Sequence, residues 1–117
     1  MAAQQIYDLT LDLSMGGKPI SSSRILVSEG ETASVETKGT SARNYIEVLP
    51  KEGKMGGREG ILISFKIGKV DKFGKRTIIS KPRILARENI QASIKQSLTG
   101  NKKQTLVVSV VAKRRRI

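Results

Sequence analysis

The chain has 117 residues and a formal charge of +12, with 38% apolar and only 3% aromatic residues. That length suits one small domain with one core, and the core must be drawn from Ile, Leu and Val rather than from rings. The absence of cysteine and histidine excludes disulfides, thiolate metal sites and cysteine nucleophiles, and removes the commonest general base.

The charge is uneven. Residues 1–49 carry four basic and six acidic side chains (4 − 6 = −2), whereas residues 50–117 carry 18 basic and four acidic (18 − 4 = +14). Such a division predicts a polarised surface that attracts a polyanion or an acidic partner, the alternative being a solvated lysine-rich face. The longest apolar run, Thr105 to Ala112, is about eight residues. A spanning helix needs roughly 20, so no membrane span is expected. No export leader follows Met1. The small, polar opening Ala2-Ala3-Gln4-Gln5 is compatible with an exported mature chain, which favours a periplasmic or exported location over a cytoplasmic one.

In chain order, Ile6 to Leu13 alternates, with Leu9, Leu11 and Leu13 on one side and Asp8, Thr10 and Asp12 on a solvated one: a half-buried strand. Gly16-Gly17-Lys18 reads as a hairpin turn. A second strand follows over Ile20 to Val27, its phase left open because Ile25, Leu26 and Val27 are all apolar. Glu29-Gly30-Glu31 is a turn, after which Ala33 and Val35 oppose Ser34 and Glu36. Lys38 to Arg43 is a polar loop, and Tyr45 to Leu49 a short strand ended by Pro50. Lys51 to Gly60, with four glycines and three basic residues, has the composition of a flexible loop and is the expected boundary.

The pattern then restarts. Ile61, Ile63, Phe65 and Ile67 alternate with Leu62, Ser64 and Lys66. Asp71-Lys72-Phe73-Gly74 makes a turn, Thr77 to Ala86 a strand, and Glu88-Asn89 a second turn. Thr105 to Val111 reads as a central strand, apolar on both faces, and Lys113 to Arg116 as a basic tail. Asn89 to Leu98 is ambiguous: Ile90, Ile94 and Leu98 recur at helical spacing between an N-cap Asn89 and Gly100. Strand is preferred there, with one short helix near 89–98 as the alternative.

An internal repeat underlies that preference. Setting Arg24 on Arg83 pairs Ile20 with Ile79, Ser21 with Ser80, Ile25 with Ile84, Leu26 with Leu85, Glu29 with Glu88, Ala33 with Ala92 and Ser34 with Ser93. A self-match at fixed offset marks a repeated structural unit. Residues 20–35 and 79–94 should trace the same strand–turn–strand path, with Gly30 and Asn89 equivalent. Two such units, each too small to bury its own face, predict an all-β antiparallel sandwich or partly closed barrel built from two similar halves. Its parts are a half-repeat over 6–49, the basic glycine loop 51–60, a second half-repeat over 61–112 and the tail 113–117.

The second copy, Ser80-Lys81-Pro82-Arg83-Ile84-Leu85-Ala86-Arg87-Glu88-Asn89-Ile90-Gln91-Ala92-Ser93-Ile94, resembles a segment of the bacterial secretins, the outer-membrane channels of type II secretion and type IV pili. Pro82, Leu85, Asn89, Ala92 and Ile94 carry the resemblance, with a weaker echo over Ser21 to Val35. In that family the segment is two strands joined by a tight turn. The resemblance covers about 15 residues and implies a soluble envelope-type β module that pairs strands with itself or a partner, not a pore.

Catalytic constellations are lacking. Asp8 and Asp12 share a strand face opposite a leucine stripe and read as solvated rather than as paired catalytic carboxylates. Glu29 and Glu88 beside their turns read as caps for backbone amides or partners of a nearby base. Gly53-Lys54 is followed by Met55, so the hydroxyl of a P-loop is missing. No catalytic residue, metal site, cofactor or small-molecule substrate is expected. The candidate contacts for a polyanion or partner are Lys51, Lys54, Arg58, Lys113, Arg114, Arg115 and Arg116. Tyr7, Tyr45, Phe65 and Phe73 offer no base-stacking platform in a basic strand. The expected function is a non-enzymatic module acting by protein–protein contact or self-association. The alternative is a nucleic-acid-associated protein holding phosphates without base specificity.

Overall fold

The computed structural model describes residues 5–38, 43–98 and 104–115. They form β1 (Ile6–Met15), β2 (Lys18–Ser28), β3 (Ala33–Lys38), β4 (Arg43–Met55), β5 (Arg58–Val70), β6 (Arg76–Ser80), β7 (Arg83–Ala86), β8 (Ala92–Leu98) and β9 (Gln104–Arg115). Sheet A has the order β2-β1-β9-β8, and sheet B the order β3-β4-β5-β6, with β7 also paired to β5. Every pairing is antiparallel. The two sheets pack face to face and do not close into a barrel.

Alternation selects the core. Tyr7, Leu9, Leu11 and Leu13 of β1 and Leu106, Val108, Val110 and Ala112 of β9 point inward from sheet A. Ile46 and Val48 of β4, Ile61, Ile63, Phe65 and Ile67 of β5, and Ile84 and Ala86 of β7 meet them from sheet B. The phase of β2 is resolved: Val27 is buried and Ile25 packs on the core, while Leu26 is exposed. The expected hairpin Gly16-Gly17 has φ of +60° and +79°, the double left-handed geometry of a two-residue type I′ turn.

The strand preferred over the helical alternative at 89–98 is found, and two expectations are corrected. No helix forms over 89–98: β8 runs from Ala92 and pairs along β9, with Ala92 and Ile94 toward the core and Ile90 exposed. Ile90 and Ile94 therefore share no face, and sheet pairing prevails over a marginal helical spacing. Pro50 does not end a strand. Its carbonyl accepts the Gly30 N–H at 2.9 Å, so its missing N–H faces the same side, beyond the last β3–β4 pair at Ala33 and Val48, where no donor is needed.

The second correction concerns residues 51–60, which are not a flexible loop but the end of the long β4–β5 hairpin. Met55 and Arg58 pair across a Gly56-Gly57 turn, and Gly53 lies opposite Gly60. The glycines serve turn geometry and close approach. A Cβ on Gly53 would stand 3.0 Å from that of Leu62, and one on Gly60 would stand 2.7 Å from the Ala86 carbonyl oxygen.

The internal repeat is a pseudo-two-fold of the whole sandwich. Replacing β1, β2, β3 and β4 by β5, β6/β7, β8 and β9 turns the strand order of sheet A into that of sheet B. Residue pairing gives the equivalences: Leu9 with Ile63 (63 − 9 = 54), Leu26 with Leu85 (85 − 26 = 59) and Val48 with Val110 (110 − 48 = 62). Irregularities repeat as well. A bulge leaves Ile20 unpaired in β2, and the equivalent bulge leaves Ile79 unpaired in β6. Where each half crosses between sheets, Gly30 and Asn89 both adopt positive φ, +77° and +65°. Their amides donate to the equivalent carbonyls of Pro50 and Ala112, each at 2.9 Å.

Candidate functional site

Most of the expected contact residues do not converge. Lys51 is exposed on the outer face of sheet B, and Lys54 is exposed but paired with Glu59 at 3.2 Å. Arg58 sits at the hairpin tip. Lys113 and Arg115 are exposed on the outer face of sheet A as part of β9, not of a tail. Arg116 lies outside the described residues.

Arg114 points the other way. Its Nε and Nη2 donate to both oxygens of Glu52 (3.0 and 2.8 Å), and its Nη1 donates to Glu88 Oε1 at 3.1 Å. Tyr7 completes the cluster, its hydroxyl donating to Glu52 with Glu29 Oε2 3.4 Å away. The repeat explains the arrangement. Glu29 accepts the Glu52 N–H at 2.8 Å and Glu88 accepts the Arg114 N–H at 3.1 Å, so each turn glutamate caps the equivalent backbone amide, as expected for these two residues. Glu52 and Arg114 are thus equivalent positions of opposite charge, and a contact between equivalent positions lies on the axis relating the halves. Hydrogen bonding to Arg114 is the main cause holding the Glu52 carboxyl below its ordinary 4.5, with Tyr7 helping and burial opposing. Burial and the neighbouring carboxylates push the Tyr7 hydroxyl far up.

Asp8 is also not solvated. It is 5% exposed, because Arg24 covers it through a two-pronged pair at 2.9 and 2.5 Å. That hydrogen-bonded pair holds its carboxyl below 3.8.

The equivalent positions on sheet B hold no such pair among the described residues. Arg24 corresponds to Arg83, but the place of Asp8 is taken by Leu62 and that of Asp12 by Lys66. One backbone therefore presents two outer faces. On sheet A Asp8 pairs with Arg24, whereas on sheet B Leu62 stands in its place and Lys66 in that of Asp12. Lys66, Lys81 and Arg83 are exposed and have no ion-pair partner among the described residues. They rim an open hollow of about 320 Å³ whose lining also includes Leu49 and Ser64, with Glu47 at its edge. Glu47 is itself engaged by Arg76 at 3.1 Å, whose guanidinium also binds Glu36 and lies 4.8 Å from the centre of the Tyr45 ring. Tyr45 lies flat because its cross-strand partner is Gly68, where a Cβ would collide with the ring and with the Thr77 carbonyl.

Reasoning from sequence missed this face because it sought runs of charge. Lys66 lies 15 residues before Lys81 (81 − 66 = 15), and antiparallel pairing of β5 with β7 brings it to Lys81 and Arg83. A signal was present in the repeat itself, where Arg83 is retained from Arg24.

The chain matches no family model, no curated protein and no solved structure.

Proposed function

We propose that the protein is a non-enzymatic binding module that acts by protein–protein contact through the outer face of sheet B. The observation that carries this reading is that Leu62 stands on that face where Asp8 pairs with Arg24 on its twin, so that Arg83 has no ion-pair partner among the described residues beside Leu49. Lys66, Lys81 and Arg83, without ion-pair partners among the described residues and gathered around Leu49, favour a partner segment that is acidic and bears an apolar side chain to seat over Leu49. Opposite charge across such a contact supplies steering and specificity, and burial of the apolar anchor supplies affinity. The likeness of residues 80–94 to a secretin segment makes a bacterial envelope assembly the setting we favour. A phosphate-backbone ligand is less well supported, because Arg114 is consumed by Glu52 and Glu88 and the other described candidates, Lys51, Lys54, Arg58, Lys113 and Arg115, are divided between the two sheets.

Fluorescence anisotropy with labelled acidic peptides, with and without interspersed leucines, and with single- and double-stranded DNA tests the reading. The leucine-bearing acidic peptide should bind with an affinity that falls as salt is raised. Arg83→Glu should weaken it at least tenfold, and Leu49→Asp should remove the preference for leucine. Tight DNA binding with no peptide binding would return the basic half to a nucleic-acid role.

A further inference from the structure

The two halves differ sharply in one hairpin. Gly16-Gly17 alone joins β1 to β2, whereas the equivalent β5–β6 connection is five residues longer (59 − 54 = 5), the added length falling at Asp71–Lys75. The fold does not require this length, since its twin closes the same strand pair with two residues.

The longer turn is nevertheless ordered by its own hydrogen bonds. Asp71 Oδ1 accepts from the N–H groups of Phe73 and Lys75, both at 2.9 Å. The Asp71 N–H donates to the Lys75 carbonyl and the Gly74 N–H to the Asp71 carbonyl, each at 3.0 Å. Gly74 supplies the positive φ of +82°. On this frame Phe73 is 83% exposed, with Lys72 Nζ 5.2 Å from its ring centre. Asp71 is engaged by the turn amides and Arg76 by Glu36 and Glu47. Lys69, Lys72 and Lys75 are exposed, with no ion-pair partner among the described residues.

We propose that the Asp71–Lys75 turn is a surface anchor for an anionic lipid bilayer. Phe73 enters the boundary between headgroups and acyl chains, and Lys69, Lys72 and Lys75 meet the lipid phosphates. The tip carries a single, 83% exposed ring, which a deformable interface accepts without a matching pocket. Lysine stems lie along apolar surface while their ammonium groups stay at the headgroups, and each lysine near an anionic surface adds binding. Stacking on nucleic-acid bases fits less well, because successive rings with free faces are needed and Lys72 already lies over this one. Nothing here depends on the hollow of sheet B.

The chain contains no tryptophan, so F73W places one reporter at the tip. Its emission should shift to the blue, and be quenched by brominated acyl chains, with vesicles of phosphatidylcholine and phosphatidylglycerol but not with phosphatidylcholine alone. K72A and K75A should each weaken vesicle binding about fivefold. F73S in the otherwise unchanged chain should abolish co-flotation while leaving thermal unfolding unaltered. Unchanged emission with anionic vesicles, an equal shift with neutral ones, or a shift produced by DNA or an acidic peptide but not by vesicles would each overturn the proposal.

Discussion

At the scale of the residue, the axis cluster separates a structural cation from surface ones. Arg114 holds two carboxylates, so Arg114→Ala should cost about 1–2 kcal/mol in urea unfolding. That is the low end for charged hydrogen bonds, because the partners are partly solvated. Arg115→Ala and Lys113→Ala, on the exposed face of β9, should stay within about 0.5 kcal/mol. The cluster also has a pH signature. The Glu52 carboxyl is depressed in the folded state, so its contribution is complete above the unfolded value of about 4.5 and is lost as pH falls through the lower folded value. Thermal unfolding followed down an acid series should fall more steeply below that point in the wild type than in Glu52→Gln. Parallel curves would remove Glu52 from the account.

At the scale of the element, the repeat was legible where local chemistry and pattern agreed. The Leu9-Leu11-Leu13 stripe, the Gly16-Gly17 hairpin and the equivalence of Gly30 with Asn89 all stand in the structure. What misled was residue type read without its partners. Pro50 is harmless because its side of β4 has run past the end of β3, and the glycines of 51–60 pack closely instead of loosening the chain. Asp8 was assigned to water because its neutralising base, Arg24, comes from the next strand. Crossing geometry can be tested directly. Gly30 and Asn89 need positive φ, so Gly30→Ala should destabilise by about 1–2 kcal/mol. Asn89→Gly, which retains that freedom, should change stability by no more than about 0.5 kcal/mol in chemical denaturation.

At the scale of the whole molecule, a duplicated sandwich offers two outer faces on one backbone, and chemical differences between them are not demanded by the fold. With Leu62 in the place of Asp8, Arg83 has no ion-pair partner among the described residues, and Lys66, Lys81 and Arg83 gather around Leu49 on sheet B. The excess of charge in the second half was plain in the sequence, but its convergence was not, since it depends on which strands become neighbours. The candidate set drawn from charge runs scattered over both sheets and the axis for the same reason. The most direct test is a backbone amide map, with labelled protein titrated with the leucine-bearing acidic peptide and followed by heteronuclear NMR. Shifts concentrated at residues 47–49, 64–66 and 81–83 are the predicted result. Shifts concentrated at residues 51–58 and 113–115, with the sheet B face silent, would contradict it.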